Sequence, residues 1–312
     1  MRCIAFVICL CLLTGCADNN GQTISQSEEP FVVVLGTTQD AGSPQAGCLK
    51  ECCTDLNLQQ KEIRKVVCLG IVDPHSGQTF MMEATPDFPS QLELLQQAAN
   101  STDAPNGIFV THAHIGHYTG LMYLGKEAMG SSNVPVYCLP RMKSFLETNG
   151  PWNNLVLEER ISLKELSTES SVKLTNDISI RTLKVPHRDE YSETAGFVIQ
   201  GPSKKVLFIP DIDKWTKWET DIAELVKQVD MALLDATFYD SNELPGRNMD
   251  EIPHPFVVES IAHFESLPPE DKAKIHFIHF NHTNPLLTNG DEAEAVRNKG
   301  YNLAVFKQSF HL

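Results

Sequence analysis

The sequence predicts a mixed α/β (α+β) domain in which helices cover β-sheets, and three observations point there. Ten short runs rich in β-branched and large apolar residues recur along the chain. Six stretches with helical apolar spacing fall between some of them, without the strict strand–helix alternation of one parallel sheet. Hydrophobic residues make up 42% of the 312 residues and charged residues 21%, a balance that buries a sizeable core and excludes disordered and collagen-like chains.

In chain order, Phe31–Leu35, Val66–Val72 and Thr79–Glu83 read as strands, and Phe88–Ala99 follows as the first helix. Strand Gly107–Thr111 precedes helix Thr119–Ala128; strand Val134–Leu139 precedes helix Arg141–Thr148. Three strands then come in succession, Ile178–Val185, Gly196–Gln200 and Lys205–Pro210, before helix Thr220–Val229. Strand Met231–Asp235, helix His254–Phe264, strand Ile275–Phe280 and helix Gly290–Lys299 complete the set. No linker divides residues 31–312, so one domain is expected. The net charge of −15 argues against nucleic acid as a partner, because the long-range field repels phosphates. The sequence carries no signal for an oligomeric state.

The N-terminus reads as an address. Met1-Arg2 supplies a positive charge, and Cys3 to Leu13 is an apolar run shorter than the roughly 20 residues a membrane-spanning helix needs. Leu13-Thr14-Gly15-Cys16 resembles the end of a bacterial lipoprotein signal, which implies removal of residues 1–15 and acylation of Cys16. Residues 16–30 are mostly polar and read as a flexible tether. The expectation is an exported lipoprotein held at a cell-envelope membrane, on the periplasmic or outer face, through its lipid alone.

The strongest chemical signal is Thr111-His112-Ala113-His114-Ile115-Gly116-His117, directly after a strand. In an extended segment alternate side chains share a side, so His112 and His114 project together. His117 stands where a helix begins. Imidazole suits zinc and other first-row divalent ions, and two histidines at this spacing can grip one ion while the third reaches a neighbour. A single histidine is usually packed in a core; three within one strand-to-helix junction need another explanation. Other ligand types follow strand runs downstream: His187 after Val185-Pro186, Asp211 after Ile209-Pro210, and His279 within Ile275–His282.

In this order the residues resemble the metallo-β-lactamase fold superfamily, which implies a four-layer αββα sandwich with a metal cleft at one edge. The resemblance makes His112, His114 and His187 ligands of a first ion, Asp211 the bridge, and His117 with His279 ligands of a second. Leu35-Gly36 with Asp40-Ala41-Gly42-Ser43-Pro44-Gln45, Thr85-Pro86-Asp87, Asp235-Ala236-Thr237-Phe238 and His279-Phe280-Asn281-His282-Thr283-Asn284-Pro285 narrow it to the branch of pyrroloquinoline quinone biosynthesis protein B. Two departures bear on function. That branch usually has a degraded first histidine pair, whereas His112 and His114 are both present. The superfamily's aspartate before the last histidine is Gly116 here, which either weakens the second site or calls in Asp213, His254 or His282. Glu83 occupies a place where the superfamily often carries a carboxylate that orients a metal-bound histidine.

Cys48, Cys52 and Cys53 cluster in Gly47–Cys53. Relatives of this branch place a structural zinc at such a loop, although with Cys-x-Cys-x-x-Cys spacing, so structural zinc and a disulfide both stand as readings. Cys68 and Cys138 sit in strand patterns as small hydrophobes. The function these residues imply is a metal-dependent hydrolase acting on a small-molecule substrate. It would use one or two Zn2+ ions, with iron or manganese as alternatives, and a metal-bound hydroxide to cleave an ester, phosphodiester or lactam-like bond. Asp211 and His282 are the expected catalytic residues, His282 as proton donor or substrate contact. The alternatives are an oxidative enzyme using iron and O2, as the quinone-biosynthesis branch implies, and a non-catalytic binding protein on the same fold.

Overall fold

In the computed structural model, which describes residues 27–312, the apolar runs form two seven-stranded sheets. The strands are β1 (Phe31–Gly36), β2 (Cys68–Asp73), β3 (Gln78–Met82), β4 (Gly107–Phe109), β5 (Val134–Cys138), β6 (Ile161–Glu165) and β7 (Ser171–Lys173). They continue with β8 (Ser179–Val185), β9 (Thr194–Gln200), β10 (Lys205–Ile209), β11 (Met231–Asp235), β12 (Ile275–Ile278), β13 (Asn302–Leu303) and β14 (Ser309–His311). One sheet has the order β14-β1-β2-β3-β4-β5-β6 and the other β13-β12-β11-β10-β9-β8-β7. The expected signal residues and Cys16 lie outside the described residues. Among those described, no helix is long and apolar enough to cross a membrane.

The four layers follow from strands buried on both faces, where alternate residues enter different cores. In β1, Val32 and Val34 join the core between the sheets, while Phe31, Val33 and Leu35 pack beneath the helix Phe88–Ala99. In β10, Val206 and Phe208 face the same central core, while Leu207 and Ile209 pack with Ile222, Val226, Val257 and Phe264 from the opposite helical layer. The helix Phe88–Ala99 starts with Pro89 in its first turn and ends at Asn100 in the left-handed conformation, φ 49°. It lies so close to β2 that a Cβ on Gly70 would fall 2.8 Å from Leu95 Cδ1.

Some elements differ from the sequence reading. Instead of a helix over Thr119–Ala128, one α-turn at Ile115–Tyr118 runs into a 3-10 segment, Thr119–Leu124. Gly120 passes so near the Ala84-Thr85 backbone that its N–H donates to Ala84 O at 2.8 Å, which fixes the tighter path. The short strands β6, β7, β13 and β14, and the short helices Glu51–Thr54, Leu58–Ile63, Trp152–Leu157 and Pro269–Lys272, were not expected.

The sheets aim their chemistry at one rim. β1 and β3 both run antiparallel to β2, and β4 runs parallel to β3, so these three strands end on the same side. In the other sheet β10, β11 and β12 are mutually parallel, and β8 shares their direction through β9. Ligands of open α/β sheets bind beyond such carboxyl ends.

Candidate metal centre

Each carboxyl end at this rim carries a polar side chain: Glu83 after β3, His112 after β4, His187 after β8, Asp211 after β10, Asp235 on β11 and His279 after β12. Two of them sit in strained backbone, Glu83 at φ 82° and His279 at φ 69°, a cost of about 1–3 kcal/mol each that the surrounding structure sustains. His112, His114, His187 and Asp211 bring ligand atoms within 4.8 Å of one another. A second group within the same limit is Asp40, His117, Asp211 and His279, and a third is Asp211, Asp235, His254 and His279. Asp211 belongs to all three.

Behind the histidines, each sheet supplies a carboxylate and a threonine. Glu83 accepts from the Thr111 N–H at 3.1 Å and the Thr111 hydroxyl at 2.6 Å, and lies 3.0 Å from His117 Nδ1. The same hydroxyl lies 2.8 Å from His112 Nδ1. In the other sheet, Asp235 accepts from the Thr237 hydroxyl at 2.6 Å, and that hydroxyl lies 2.8 Å from His279 Nδ1. The proton placement that satisfies these networks puts N–H on each Nδ1 and turns Nε2 of His112, His117 and His279 to the cleft. Carboxylates behind metal-bound histidines act in this way in metal sites generally.

The electrostatics divide the histidines. Burial pushes His112 well below the ordinary histidine value, which keeps it neutral, as a ligand must be. Burial works against the charge on His117 too, but the carboxylates of Asp40 and Glu83 prevail and hold it well above that value. His254 stands 2.9 Å from Asp235 and 3.2 Å from Asp211. Against burial, those two carboxylates push it up to about 10. His279, likewise opposed by burial, is raised to about 9, chiefly by Asp211.

The donor set fits a divalent cation. His187 has neither buried ring nitrogen hydrogen-bonded, and Asp211 Oδ1 has no hydrogen-bond partner, although His187 Nε2 lies 3.2 Å from it. Buried polar atoms are rarely left so. Convergence at short range without hydrogen-bond alignment is what atoms sharing one ion require. Imidazole and carboxylate at such spacing suit zinc and its neighbours.

The structure also corrects the sequence reading. His282 is not among the groups around Asp211; beyond His279 the chain turns, and His282 joins Cys48, Cys52 and Cys53, with ligand atoms within 4.8 Å of one another. Its Nδ1 lies 3.0 Å from Asn281 Oδ1. The three cysteines are free thiols in this structure. Of the residues suggested to replace an aspartate at position 116, Asp213 is tied to Lys217 at 2.8 Å and His282 is with the cysteines, whereas His254 stands 3.2 Å from Asp211 and 2.9 Å from Asp235 and shares a ligand group with His279. Two site residues were missed as such, Asp40 and Asp235, while His254 was expected only as one of three stand-ins for an aspartate at position 116. Asp235 shares with Asp211 the signal of a carboxylate closing an apolar strand, whereas Asp40 and His254 lie in loops with no local mark.

Known proteins agree with this architecture. Residues 78–277 match the family model described as the beta-lactamase superfamily domain. The chain is 21% identical over 299 residues to coenzyme PQQ synthesis protein B of Methylobacterium sp. (strain 4-46), covering 87% of this chain and 96% of that protein. The crystal structure of Zn(2+)-bound PqqB from Methylobacterium extorquens superposes with a TM-score of 0.75 at 18% identity, over 90% of this chain and all of the other. A diphosphatase of the PhnP family superposes with a TM-score of 0.66, also at 18% identity, over 91% of this chain and 97% of that one. With two helix-covered sheets, ligand groups gathered at one rim and a family match over most of its length, the chain belongs to the beta-lactamase superfamily.

Proposed function

We propose that this protein is a metal-dependent hydrolase that holds two divalent ions, zinc in the first instance, and cleaves an ester, phosphodiester or lactam-like bond of a small molecule. The observation that carries the reading is Asp211, one buried carboxylate that joins the ligand group of His112, His114 and His187 to those containing His279. Its Oδ2 lies 3.4 Å from His112 Nε2 and 3.7 Å from His117 Nε2, while Oδ1 lies 3.2 Å from His187 Nε2. When bound, such ions supply hydroxide near neutral pH and offset negative charge that develops on the substrate.

The chain's own residues do the rest. Glu83 and Thr111 fix the tautomers of His117 and His112, and Thr237 with Asp235 fixes that of His279. His254, 2.9 Å from Asp235 and 3.2 Å from Asp211 at the edge of the ligand group, is the candidate to give a proton to a leaving group. Among the three bonds the phosphodiester is favoured. Arg188 is exposed beside the site, with Nη2 3.3 Å from His114 Nε2, and the PhnP-family diphosphatase shares the fold. Cys48, Cys52, Cys53 and His282 supply four ligands, the closed set of a structural zinc.

A second reading, oxidative chemistry with iron and O2, is favoured by the match along most of coenzyme PQQ synthesis protein B. Metal analysis of purified protein, with turnover of phosphodiesters, esters and lactams, separates the two. Zinc with hydrolysis that Asp211→Ala abolishes supports the first. Iron with oxygen consumption supports the second, and no metal at the histidines would leave a binding protein. Export and acylation at Cys16 remain part of the proposal; loss of labelled palmitate from Cys16→Ala in cells would support them, and an unlabelled wild-type chain would refute them.

A further inference from the structure

We infer that Asp40, on the loop after β1, supplies the second ion with the carboxylate that position 116 lacks, and that residue 116 is glycine because Asp40 fills its side-chain space. The inference rests on the two-ion reading above. Asp40 Oδ1 lies 3.1 Å from His117 Nε2 and 3.3 Å from His279 Nε2, and both nitrogens face the cleft. With Asp211 these residues complete a four-ligand group in which every ligand atom is within 4.8 Å of the others.

Space makes the two positions exclusive. A Cβ built on Gly116 would fall 2.3 Å from Asp40 Cα, 2.7 Å from Asp40 Cβ and 2.9 Å from Asp40 Cγ. The first of these is backbone and cannot swing aside. Gly116 lies within the α-turn Ile115–Tyr118 and not in the left-handed region, so conformational freedom does not explain it. Any side chain at 116 must expel the loop that carries Asp40.

That loop is pinned beside His279. The Gln39 N–H donates to Phe280 O at 2.9 Å, and the Phe280 N–H donates to Thr37 O at 2.9 Å. Thr38 forms bridges with both Val66 and Phe280. Gly42, at φ 70°, turns the chain back and donates its N–H to Gln39 O at 2.8 Å. The carboxylate is thus positioned by backbone pairing to the residue after His279. The second site becomes a property of the N-terminal loop, where a histidine-rich junction alone would have left three ligands.

The test counts zinc by mass spectrometry in dialysed full-length protein, comparing wild type with Asp40→Ala, Asp40→Asn, Gly116→Ala and Asp213→Ala. Asp40→Ala and Asp40→Asn should each lose one zinc equivalent from the wild-type content. Gly116→Ala should lose the same equivalent although it removes no ligand, and combining it with Asp40→Ala should cost nothing more. Asp213→Ala should keep the full complement. Retention of the other equivalents and of the circular-dichroism spectrum shows that each variant is folded, and Asp40→Asn serves where Asp40→Ala does not fold. Full zinc content in either Asp40 variant overturns the inference and leaves the two-ion reading standing. Full content in Gly116→Ala overturns the spatial argument. A wild type with no zinc at the histidines overturns both readings.

Discussion

Replacing Glu83 by Gln tests whether a buried carboxylate, rather than the histidines alone, sets the affinity of the second site. Glu83 is 0% exposed and accepts three contacts: the Thr111 N–H at 3.1 Å, the Thr111 hydroxyl at 2.6 Å and His117 Nδ1 at 3.0 Å. Glutamine keeps the shape. Its carbonyl oxygen can still accept from the hydroxyl and from His117, but its NH2 then faces the Thr111 N–H, donor against donor. A buried donor left without a partner costs about 1–3 kcal/mol of stability. Loss of the charge behind His117 makes that imidazole a weaker base, and such changes lower metal affinity about 10–100-fold, or roughly 1.4–2.8 kcal/mol. Competition between protein and a chromogenic chelator measures zinc affinity directly, and a thermal melt of metal-depleted protein reports the stability term. Glu83→Gln should weaken one ion by the stated factor, leave the His112, His114 and His187 ion little changed, and melt several degrees lower. Wild-type affinity for both ions would refute the reasoning, whatever the melting temperature.

Three further outcomes are expected. Phe197 is fully buried between the sheets, edge-on to Phe109 at 5.6 Å, so Phe197→Ala should cost about 3–5 kcal/mol in urea unfolding; less than about 1 kcal/mol would contradict the inter-sheet core. Burial pushes His276 down to about 4, and its Nδ1 has no hydrogen-bond partner. The unfolded chain therefore takes up its proton first. Stability present above about pH 6.5 is lost as the pH falls toward 4, by at most about 3 kcal/mol. His276→Leu should flatten that limb of the stability curve, and parallel curves would dismiss it. Cys53→Ser should release one zinc equivalent and spare the histidine cleft; unchanged zinc would remove the cysteine cluster from the list of metal sites.

The histidine junction was legible because its information is local. Three imidazoles at the end of one strand are close in space whatever the rest of the chain does, and the rigid alternation of β-structure sets their directions. Asp211 was less legible: a carboxylate closing an apolar run is more often a cap or turn residue, and only the order of ligand types, through the family resemblance, gave it a metal role. The helix Phe88–Ala99 announces itself by periodicity and by Pro89. By contrast, β7 and β14 are three residues long with largely exposed faces, and β13 has two residues. Such segments have little propensity of their own and become strands only when a neighbour offers hydrogen bonds.

The sequence by itself determined the layered α/β character and the histidine cluster at the end of one strand, because each follows from spacing along one or two strands; the bridging role of Asp211 came only as what the family resemblance implies. Only the tertiary structure decided how the sites are completed. Asp40 meets His117 across 77 residues of chain and His279 across 239, and nothing local marks a loop aspartate for either. His282 meets the cysteines, and His254 meets Asp211 and Asp235, for the same reason. A turn after a strand end sets where a side chain points, and only the packed sheets set which turns face one another.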